Sequence, residues 1–352
     1  MRKPPVILLD MSNLIFRSGY AFEQLRGPGG VKSGAIYGTL KTILELRKKV
    51  SPRIIAVWDH GVPTSPDAAK PANWRDKLVT DYKANRVRNA GSREIVAQMP
   101  AIYDALRWIG YCSISVMGME ADDVIGVLAR QIELSTDVLI FSTDIDFYQL
   151  LTPFVSIVRP KQENGEYRIL TRDDVESEFT TPVSRWAEYL ALGGDKSDNI
   201  KVKGMGPATA ERMIAAGIRL TKPLYKQPLD KLLPLDKKKL EDHWEDIQKA
   251  YYAAKLPTST LDERIHPCVR RAGGWPLFHT EQLLREPEEC FEKFSTMLAN
   301  YNMLSLHKQR HEFYDGVYSP CPTPTPSTPT PTTTRAHASK PQPQRLKQKP
   351  LF

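Results

Sequence analysis

The sequence is poor in cysteine and has no long apolar stretch. Its four cysteines are far apart in a chain of 352 residues and form no CxxC pair: Cys112, Cys268, Cys290 and Cys321. This usage argues against a disulfide framework or a structural zinc site and fits a reducing cytosol. The apolar run at 6–9 is too short for a secretory signal, and no run reaches the roughly 18 residues that a membrane span needs. We therefore expect a cytoplasmic protein without a membrane partner.

Positive charge is concentrated near the C-terminal end. The formal net charge is +8, and residues 319–352 contribute five Lys or Arg residues and no acid. The same segment holds nine of the 28 prolines and includes the low-complexity stretch SPCPTPTPSTPTPTTT at 319–334. Such a composition cannot bury apolar surface, so we predict a disordered basic tail over 319–352. The surplus of positive charge permits a polyanionic partner but says little about the fold.

Short apolar runs alternate with amphipathic segments over the first 160 residues. Predicted strands lie at 6–10, 53–59, 113–116, 137–141 and 167–170, and predicted helices lie at 35–50, 92–109 and 121–134. This alternation predicts an α/β fold with a parallel sheet and helices on both faces. From residue 171 the pattern becomes helical, with candidate helices at 186–192, 207–216, 240–254 and 281–308. We predict one domain over 1–180, a helical domain over 181–318, and the tail.

Acidic residues recur where predicted strands end. Seven carboxylates share this position: Asp10, Asp59, Glu120, Asp122, Asp123, Asp144 and Asp146. Ligands of parallel sheets gather at the carboxyl ends of the strands, and so many ionised groups would repel strongly without cations. Oxygen ligands favour Mg²⁺ or Mn²⁺, and paired divalent ions are a common means of hydrolysing phosphodiesters. The alternative interpretation is that individual acids are helix caps or first-turn residues that stabilise the helix dipole.

A basic stretch follows the second predicted strand. Between Lys70 and Arg93 there are seven basic residues and two acids, with Trp74 and Tyr82 interleaved. Basic groups beside a carboxylate site are suited to holding a phosphate, and the aromatic rings are suited to stacking an unpaired base. The alternative is a solvated loop anchored by two aromatic residues.

A glycine turn lies between two predicted helices. Gly204 and Gly206 flank Met205 and precede Pro207, and the acids Asp195 and Asp198 lie just upstream. Glycines allow backbone N–H groups to approach a phosphate, and Pro207 is suited to opening a helix. A Gly-Met-Gly turn alone would fit any helix hairpin, but the neighbouring acids connect it to the carboxylate site.

Six motifs contain most of these residues. They are LLDMSNLIFR at 8–17, VWD at 57–59, NWRDKLVTDYKANR at 73–86, GMEADDVIG at 118–126, FSTDIDFYQLL at 141–151, and LGGDKSDNI with GMGPATA at 192–210. Together they resemble the 5′-nuclease family, which includes the 5′→3′ exonuclease domain of bacterial DNA polymerase I and stand-alone phage flap endonucleases and 5′-exonucleases. They occur in the order of the family. The resemblance implies a PIN-like α/β domain followed by a helix–hairpin–helix module.

The resemblance also implies roles for the matching positions. The positions that match the metal site are Asp10, Asp59, Glu120, Asp122, Asp123, Asp144, Asp146, Asp195 and Asp198. Lys83 and Arg86 match the basic pair that contacts the reacting phosphate, and with Asp10 and Asp144 they are the expected catalytic residues. The expected DNA contacts are Arg75, Tyr82, Lys83, Arg86, Lys203, Gly204, Gly206 and Thr209. Residues 60–92 are expected to form an arch or clamp, and the hairpin at 204–206 to grip duplex DNA with a K⁺ ion.

The activity implied is that of a 5′→3′ exonuclease and 5′-flap endonuclease that uses two or more Mg²⁺ ions, with Mn²⁺ as a substitute. The expected substrates are DNAs with 5′ ends or 5′ flaps, including RNA–DNA primers, in primer removal or 5′-end resection. Because no polymerase sequence follows, the chain is most similar to the stand-alone, phage-like members. We expect a monomer in the cytoplasm of a bacterium or a phage-infected host.

Two features bear on the partners. The stretch from Asn199 to Gly206 is one residue shorter than the family pattern and lacks its first glycine, which affects the hairpin geometry and the K⁺ site. The chain stops at QKPLF, which is similar to the peptides that bacterial replication proteins insert into the sliding clamp; Gln348, Leu351 and Phe352 would be the contacts. The alternative is a basic tail with nonspecific affinity for DNA.

Two other functions deserve comparison with this one. A PIN-type ribonuclease would use fewer acids and normally lacks the helix–hairpin–helix, so the segment 195–206 disfavours it. A non-catalytic DNA-binding or structural protein derived from the same fold should have lost acids, yet all nine matching positions are filled.

Overall fold

A single six-stranded sheet lies at the centre of the α/β part of the chain. In this computed structural model its strands are β1 (Lys3–Asp10), β2 (Ile54–Trp58), β3 (Cys112–Ser115), β4 (Thr136–Phe141), β5 (Val155–Arg159) and β6 (Arg168–Leu170). The order across the sheet is β3-β2-β1-β4-β5-β6, and only β6 runs antiparallel to its neighbour. The predicted α/β class is confirmed, and β5 is a strand that the sequence pattern does not predict.

The structure describes residues 3–60, 72–79, 81–84, 86, 89–160 and 166–271. These residues all belong to one compact unit, 1–308. The predicted helix at 281–308, the tail and parts of the predicted arch lie outside the described residues. The predicted division into domains therefore stays a prediction.

In the described residues, the first five helices alternate with the strands of the sheet, and the remaining helices follow β6 in the chain. They are α1 (Met11–Ala21), α2 (Gly34–Lys49), α3 (Ala90–Val96), α4 (Met99–Ile109), α5 (Ala121–Ile132), α6 (Arg172–Glu178), α7 (Trp186–Gly193), α8 (Pro207–Ala215), α9 (Pro234–Asp242), α10 (Trp244–Ala254) and α11 (His266–Arg271). None of them has both the length and the apolar character needed to cross a membrane.

Two predicted helices are each divided in the structure. The predicted helix at 92–109 is α3 and α4, separated at Gln98. The Gln98 side chain accepts hydrogen bonds from the backbone N–H groups of Ala35 (3.0 Å) and Ile36 (3.2 Å), which satisfies donors at the start of α2. The predicted helix at 240–254 is the end of α9 and α10, which are separated at His243. Local hydrophobic spacing does not reveal either break.

Alternating side chains of β1 pack into two different cores. Ile7 and Leu9 face the layer formed by α1, α2 and α4. Val6 and Leu8 face the opposite layer, which includes α5 and residues of α7, α8 and α10. Burial of each such side chain stabilises the fold by about 1.5–3 kcal/mol. The helices after residue 185 therefore share a core with the sheet.

The order of the strands creates a crevice at the carboxyl ends of β1 and β4. From β1 the chain adds β2 and β3 on one side of the sheet, and then places β4 and β5 on the other side. Such a change of direction is the topological switch point at which parallel sheets bind ligands. Asp10 is the last residue of β1, and Ser142 directly follows β4.

The start of α2 makes a testable close contact with the end of α1. A Cβ atom at Gly34 would lie 2.0 Å from the carbonyl oxygen of Phe22, and a backbone atom cannot move aside cheaply. We expect Gly34→Ala to lower the free energy of unfolding by about 1–3 kcal/mol, measured by urea denaturation. The matched control is Gly91→Ala, because a Cβ at Gly91 meets only the Asn89 side chain at 3.5 Å. Equal stability of the two variants would contradict this packing.

Candidate active site

Asp10 connects the end of β1 to the loop after β4. Its carboxylate caps α1 by accepting a hydrogen bond from the backbone N–H of Asn13 (3.1 Å), and it accepts a second bond from the Ser142 hydroxyl (2.9 Å). Burial, together with the neighbouring charge of Asp59, raises the pKa of Asp10 to about 7. The residue therefore serves as a helix cap and as a member of the acidic cluster at once.

Asp59 connects the end of β2 to the start of α5. It accepts hydrogen bonds from the backbone N–H of Ala121 (2.7 Å) and from the hydroxyl of Ser12. Side-chain hydrogen bonds thus connect Asp59 to the first turn of α1, directly after Asp10, and connect Asp10 to the residue that follows β4.

Three acids from two distant segments form the tightest carboxylate group in the described residues. Asp146, Asp195 and Asp198 each offer one oxygen, and these oxygens lie within 4.8 Å of one another. All three residues are buried. Burial and the charges of Asp144 and Asp195 hold the pKa of Asp146 well above its ordinary value. The group brings the loop after β4 against the turn between α7 and α8.

Two carboxylate oxygens of this group show whether its residues are suited to binding a cation. Asp146 Oδ1 and Asp195 Oδ2 are buried and have no hydrogen-bond partner. Buried carboxylate oxygens are costly without a donor or a cation. A set of oxygen ligands with free lone pairs matches the preference of a hard divalent ion such as Mg²⁺ or Mn²⁺. The residues therefore fit a metal ion.

Asp144 is two residues before Asp146 in the sequence, and its carboxylate is affected by the charges of the three-acid group. It accepts a hydrogen bond from the backbone N–H of Asp146 (3.0 Å). Burial raises the pKa of Asp144 above its ordinary value, and the charges of Asp198 and Asp195 add to this effect. The sequence Ser142–Asp146 thus connects Asp10 to the three-acid group.

The acids that open α5 are bound to a buried arginine. The Arg75 guanidinium donates to Asp123 (2.8 and 3.0 Å) and to Glu120 (3.2 Å), and is 1% exposed. It also lies 3.4 Å from Asp122. Trp74 donates its indole N–H to Asp123 (3.1 Å). The start of α5 is therefore an ion-pair network in the interior of the protein.

This network bears on the expected roles of Arg75 and Asp123. Arg75 is enclosed by carboxylates and the carbonyl of Ala253, so in this structure it is not placed to contact DNA. Asp123 is fully buried, and both of its oxygens accept hydrogen bonds from Arg75, with a further bond from Trp74; its role as a metal ligand stays a prediction. A cation and an anion that point inward have the same sequence pattern as a pair that points outward.

Tyr82, Lys83 and Arg86 join the two halves of the site. Tyr82 is buried, and its hydroxyl oxygen lies 2.6 Å from a carboxylate oxygen of Asp198 and 2.8 Å from one of Glu120. Its single proton is donated to one of the two carboxylates at a time. Lys83 donates to Glu120 (2.9 Å), and Arg86 donates to Asp198 (2.8 Å). Burial lowers the pKa of Lys83, but the charges of Glu120 and Asp198 outweigh this and hold the pKa above its ordinary value. The predicted basic pair thus lies beside the acids.

The predicted hairpin lies between α7 and α8. Gly204 has a positive φ of 73°, which favours glycine, and both Gly204 and Lys203 are exposed. Gly206 is half-buried at the start of α8. Thr209 is buried, and its role as a DNA contact stays a prediction. Lys203 and Gly204 are the hairpin residues available to a ligand.

Some residues of the site have no role in the sequence prediction. Ser12, Asn13 and Ser142 orient Asp59 and Asp10, and Gln149 binds the carbonyl of Asp146 (2.9 Å). All of them lie inside motifs already noted around the acids. The signal that reveals such positioning residues is a polar residue inside a motif that carries an acid.

The family described as "5′-3′ exonuclease, N-terminal resolvase-like domain" matches residues 5–180, which is half of the chain. The chain belongs to the 5′-3′ exonuclease family. The match covers the sheet and every acid from Asp10 to Asp146, and the predicted resemblance is confirmed.

Two relatives show how far this family membership extends. The chain is 29% identical over 317 residues to "DNA polymerase I, thermostable" of Thermus filiformis, covering 89% of this chain and 35% of that protein. It is 33% identical over 202 residues to a "5′-3′ exonuclease" of Buchnera aphidicola, covering 56% of this chain and 65% of that protein. The chain therefore spans less than two thirds of the length of either relative.

A solved structure shares the fold of this family member. The structure of "T5 5′-exonuclease" with bound zinc superimposes with a TM-score of 0.57 and 22% identity, covering 85% of this chain and 99% of that protein. This coverage is larger than the half of the chain that the family matches, so the fold similarity includes residues that follow the sheet.

The buried Arg75 network leads to a stability prediction. Arg75→Met would leave Asp123 buried without its partner, and we expect a loss of about 3–5 kcal/mol in the free energy of unfolding. The control is Arg172→Met, because Arg172 pairs with Glu176 on the surface (3.1 Å) and such pairs contribute about 0.5 kcal/mol. Chemical denaturation of both variants measures the difference, and a small effect at Arg75 would contradict the network.

The three-acid group predicts opposite effects of Asp195→Asn on thermal stability without and with a divalent ion. Without divalent ions, Asp195→Asn should keep or raise the melting temperature, because it removes one of several buried, mutually repelling charges. With saturating Mg²⁺ or Mn²⁺, the wild type should gain about 2–3 kcal/mol and the variant clearly less. Thermal denaturation with and without the ion measures both effects. Asp173→Asn, an exposed acid in α6, should respond like the wild type. A full metal response in Asp195→Asn would exclude this site.

Proposed function

We propose that the chain is a Mg²⁺-dependent 5′-nuclease that acts on DNA as a 5′→3′ exonuclease and 5′-flap endonuclease. One observation carries the proposal: the unpartnered oxygens of Asp146 and Asp195 lie in a group whose third member, Asp198, binds Arg86 and Lys83. Acids for metal ions and cations for a phosphate are thus side by side. Membership of the 5′-3′ exonuclease family supports the same conclusion.

Two groups of acids are proposed to hold metal ions. Asp146, Asp195 and Asp198 would hold one ion, and Asp10 with Asp59 and Asp144 would form a second site. Divalent ions, when bound, supply an activated water and neutralise charge on the leaving 3′-oxygen. Asp122 is half-buried, and Glu120 is buried among Arg75, Tyr82 and Lys83. Both would lie beside the two metal ions and would not be their main ligands.

The basic pair is proposed to hold the phosphate that reacts. The Arg86 side chain is 54% exposed and that of Lys83 is 12% exposed, so Arg86 is the more accessible of the two. Their donors would stabilise negative charge on the phosphate oxygens in the transition state. Because both already lie against Asp198, little reorganisation would be needed when a phosphate arrives.

The hairpin and the tail are proposed to bind the other partners, which are duplex DNA and a sliding clamp. Lys203 and the exposed backbone of Gly204 would contact phosphates of duplex DNA, with a K⁺ ion, without reading its sequence. Gln348, Leu351 and Phe352 would tether a monomer to a sliding clamp and raise its effective concentration on DNA. Such an enzyme would remove RNA primers or resect 5′ ends, in keeping with relatives named DNA polymerase I and 5′-3′ exonuclease.

The test uses a 5′-flap duplex labelled at both ends of the flapped strand. We expect cleavage near the junction with Mg²⁺, none with EDTA, and a loss of at least about 100-fold in Asp144→Asn, because the variant removes one acid of the second metal site. The ladder of products separates endonuclease from exonuclease action.

Two further substrates decide between the alternatives. A single-stranded RNA of the same sequence should be cut more slowly than the flap; the reverse preference would favour a PIN-type ribonuclease. Binding of the flap without cleavage, in Mg²⁺ and in Mn²⁺, would overturn the proposal in favour of a non-catalytic DNA-binding protein.

A further inference from the structure

We propose that residues 253–257, at the end of α10 and just beyond it, brace the acidic site, and that Gln149 is the positioning residue through which this brace segment orients Asp146. The inference rests on the proposed function, because it concerns the same metal site. None of the residues of the brace segment is an acid, and none belongs to the motifs around the site.

The first contact of the brace segment is with the arginine that binds the acids of α5. Arg75 donates its Nε–H to the carbonyl of Ala253 (3.0 Å), while its other nitrogens bind Asp123 and Glu120. Both Arg75 and Ala253 are buried. The guanidinium is therefore fixed on one side by the brace segment and on the other by the carboxylates.

The second contact is with the turn that carries Asp144 and Asp146. The Gln149 amide N–H₂ donates to the carbonyls of Asp146 (2.9 Å) and Ala254 (3.0 Å). The Gln149 amide oxygen accepts from the backbone N–H of Leu256 (2.8 Å). One side chain thus makes three backbone hydrogen bonds and connects the brace segment directly to a residue of the three-acid group.

The third contact is with the body of α5. A Cβ atom at Gly126 would lie 2.4 Å from the carbonyl oxygen of Pro257, so only glycine allows this approach. Glu120 and Asp123 lie at the start of the same helix. The brace segment therefore touches α5, the segment that follows β4, and the buried arginine that binds the acids of α5.

Fixed carboxylates matter because Mg²⁺ and Mn²⁺ require ligands in a narrow range of positions. Mutually repelling carboxylates move apart unless the surrounding structure holds them. The Asp146 backbone is held by Gln149, whereas its Oδ1 has no partner. Loosening Gln149 should therefore weaken metal binding without removing any ligand.

The test measures Mn²⁺ affinity by electron paramagnetic resonance of the free ion, with the full chain. Gln149→Met keeps the side-chain length and removes all three hydrogen bonds, and we expect affinity to fall about tenfold. The matched control is Gln248→Met, because Gln248 of α10 also donates to a backbone carbonyl, that of Leu220 (3.1 Å), away from the acids. It removes one such bond rather than three, so it should lose less stability, and it should keep the wild-type affinity.

A second variant tests the brace segment from its other side. Gly126→Ala pushes against Pro257 and touches no acid, and it should also weaken Mn²⁺ binding. The more crowded Gly34→Ala should not weaken it. Lowered melting temperatures with unchanged affinity in both Gln149→Met and Gly126→Ala would overturn the brace and leave the proposed function intact. A wild type that does not bind Mn²⁺ would overturn the proposed metal site and this inference together.

Discussion

Repulsion among buried carboxylates is the constraint on which the rest of the structure depends. Oxygens of three acids lie within 4.8 Å of one another, and two like charges at such a distance cost roughly 3–4 kcal/mol at an effective dielectric constant of 20. The two groups of acids differ in how this repulsion is offset. At the start of α5 an internal cation, Arg75, is bonded to Asp123 and Glu120. At Asp146 and Asp195 the oxygens have no such partner, which is what an exchangeable metal ion requires.

The site is not a property of the sheet alone. The carboxyl ends of β1, β2 and β4 supply Asp10, Asp59 and Asp146, but Asp195 and Asp198 come from the turn between α7 and α8. Helices α7, α8 and α10 share the apolar core that α5 forms on one face of the sheet. Packing of these helices therefore assembles the site at the same time as it completes the core.

The sequence predicts where chemistry collects better than it predicts which charges meet. Acids at strand ends reveal their shared position, because parallel strands end at one edge. A motif records the type of a residue and not its direction, so the burial of Arg75, Asp123 and Thr209 is visible only in the tertiary structure. The strand β5 and the breaks at Gln98 and His243 depend on long-range contacts, such as the bonds from Gln98 to the start of α2. Local periodicity carries no information about these.

Main-chain bonds, and not charge alone, set the position of the basic pair. Lys83 donates its backbone N–H to the carbonyl of Asp198 (3.1 Å), and Asn199 donates its side-chain amide to the carbonyl of Asp81 (2.9 Å). Asp81, Lys83 and Asn199 all have positive φ, a conformation that costs about 1–3 kcal/mol per non-glycine residue. Three strained residues persist at one junction only because the surrounding contacts determine their conformation. An ion pair that formed by attraction alone would need no such strain. The backbone thus holds Lys83 beside Asp198 in advance, which is the preorganisation that the proposed role of Lys83 toward a phosphate would require.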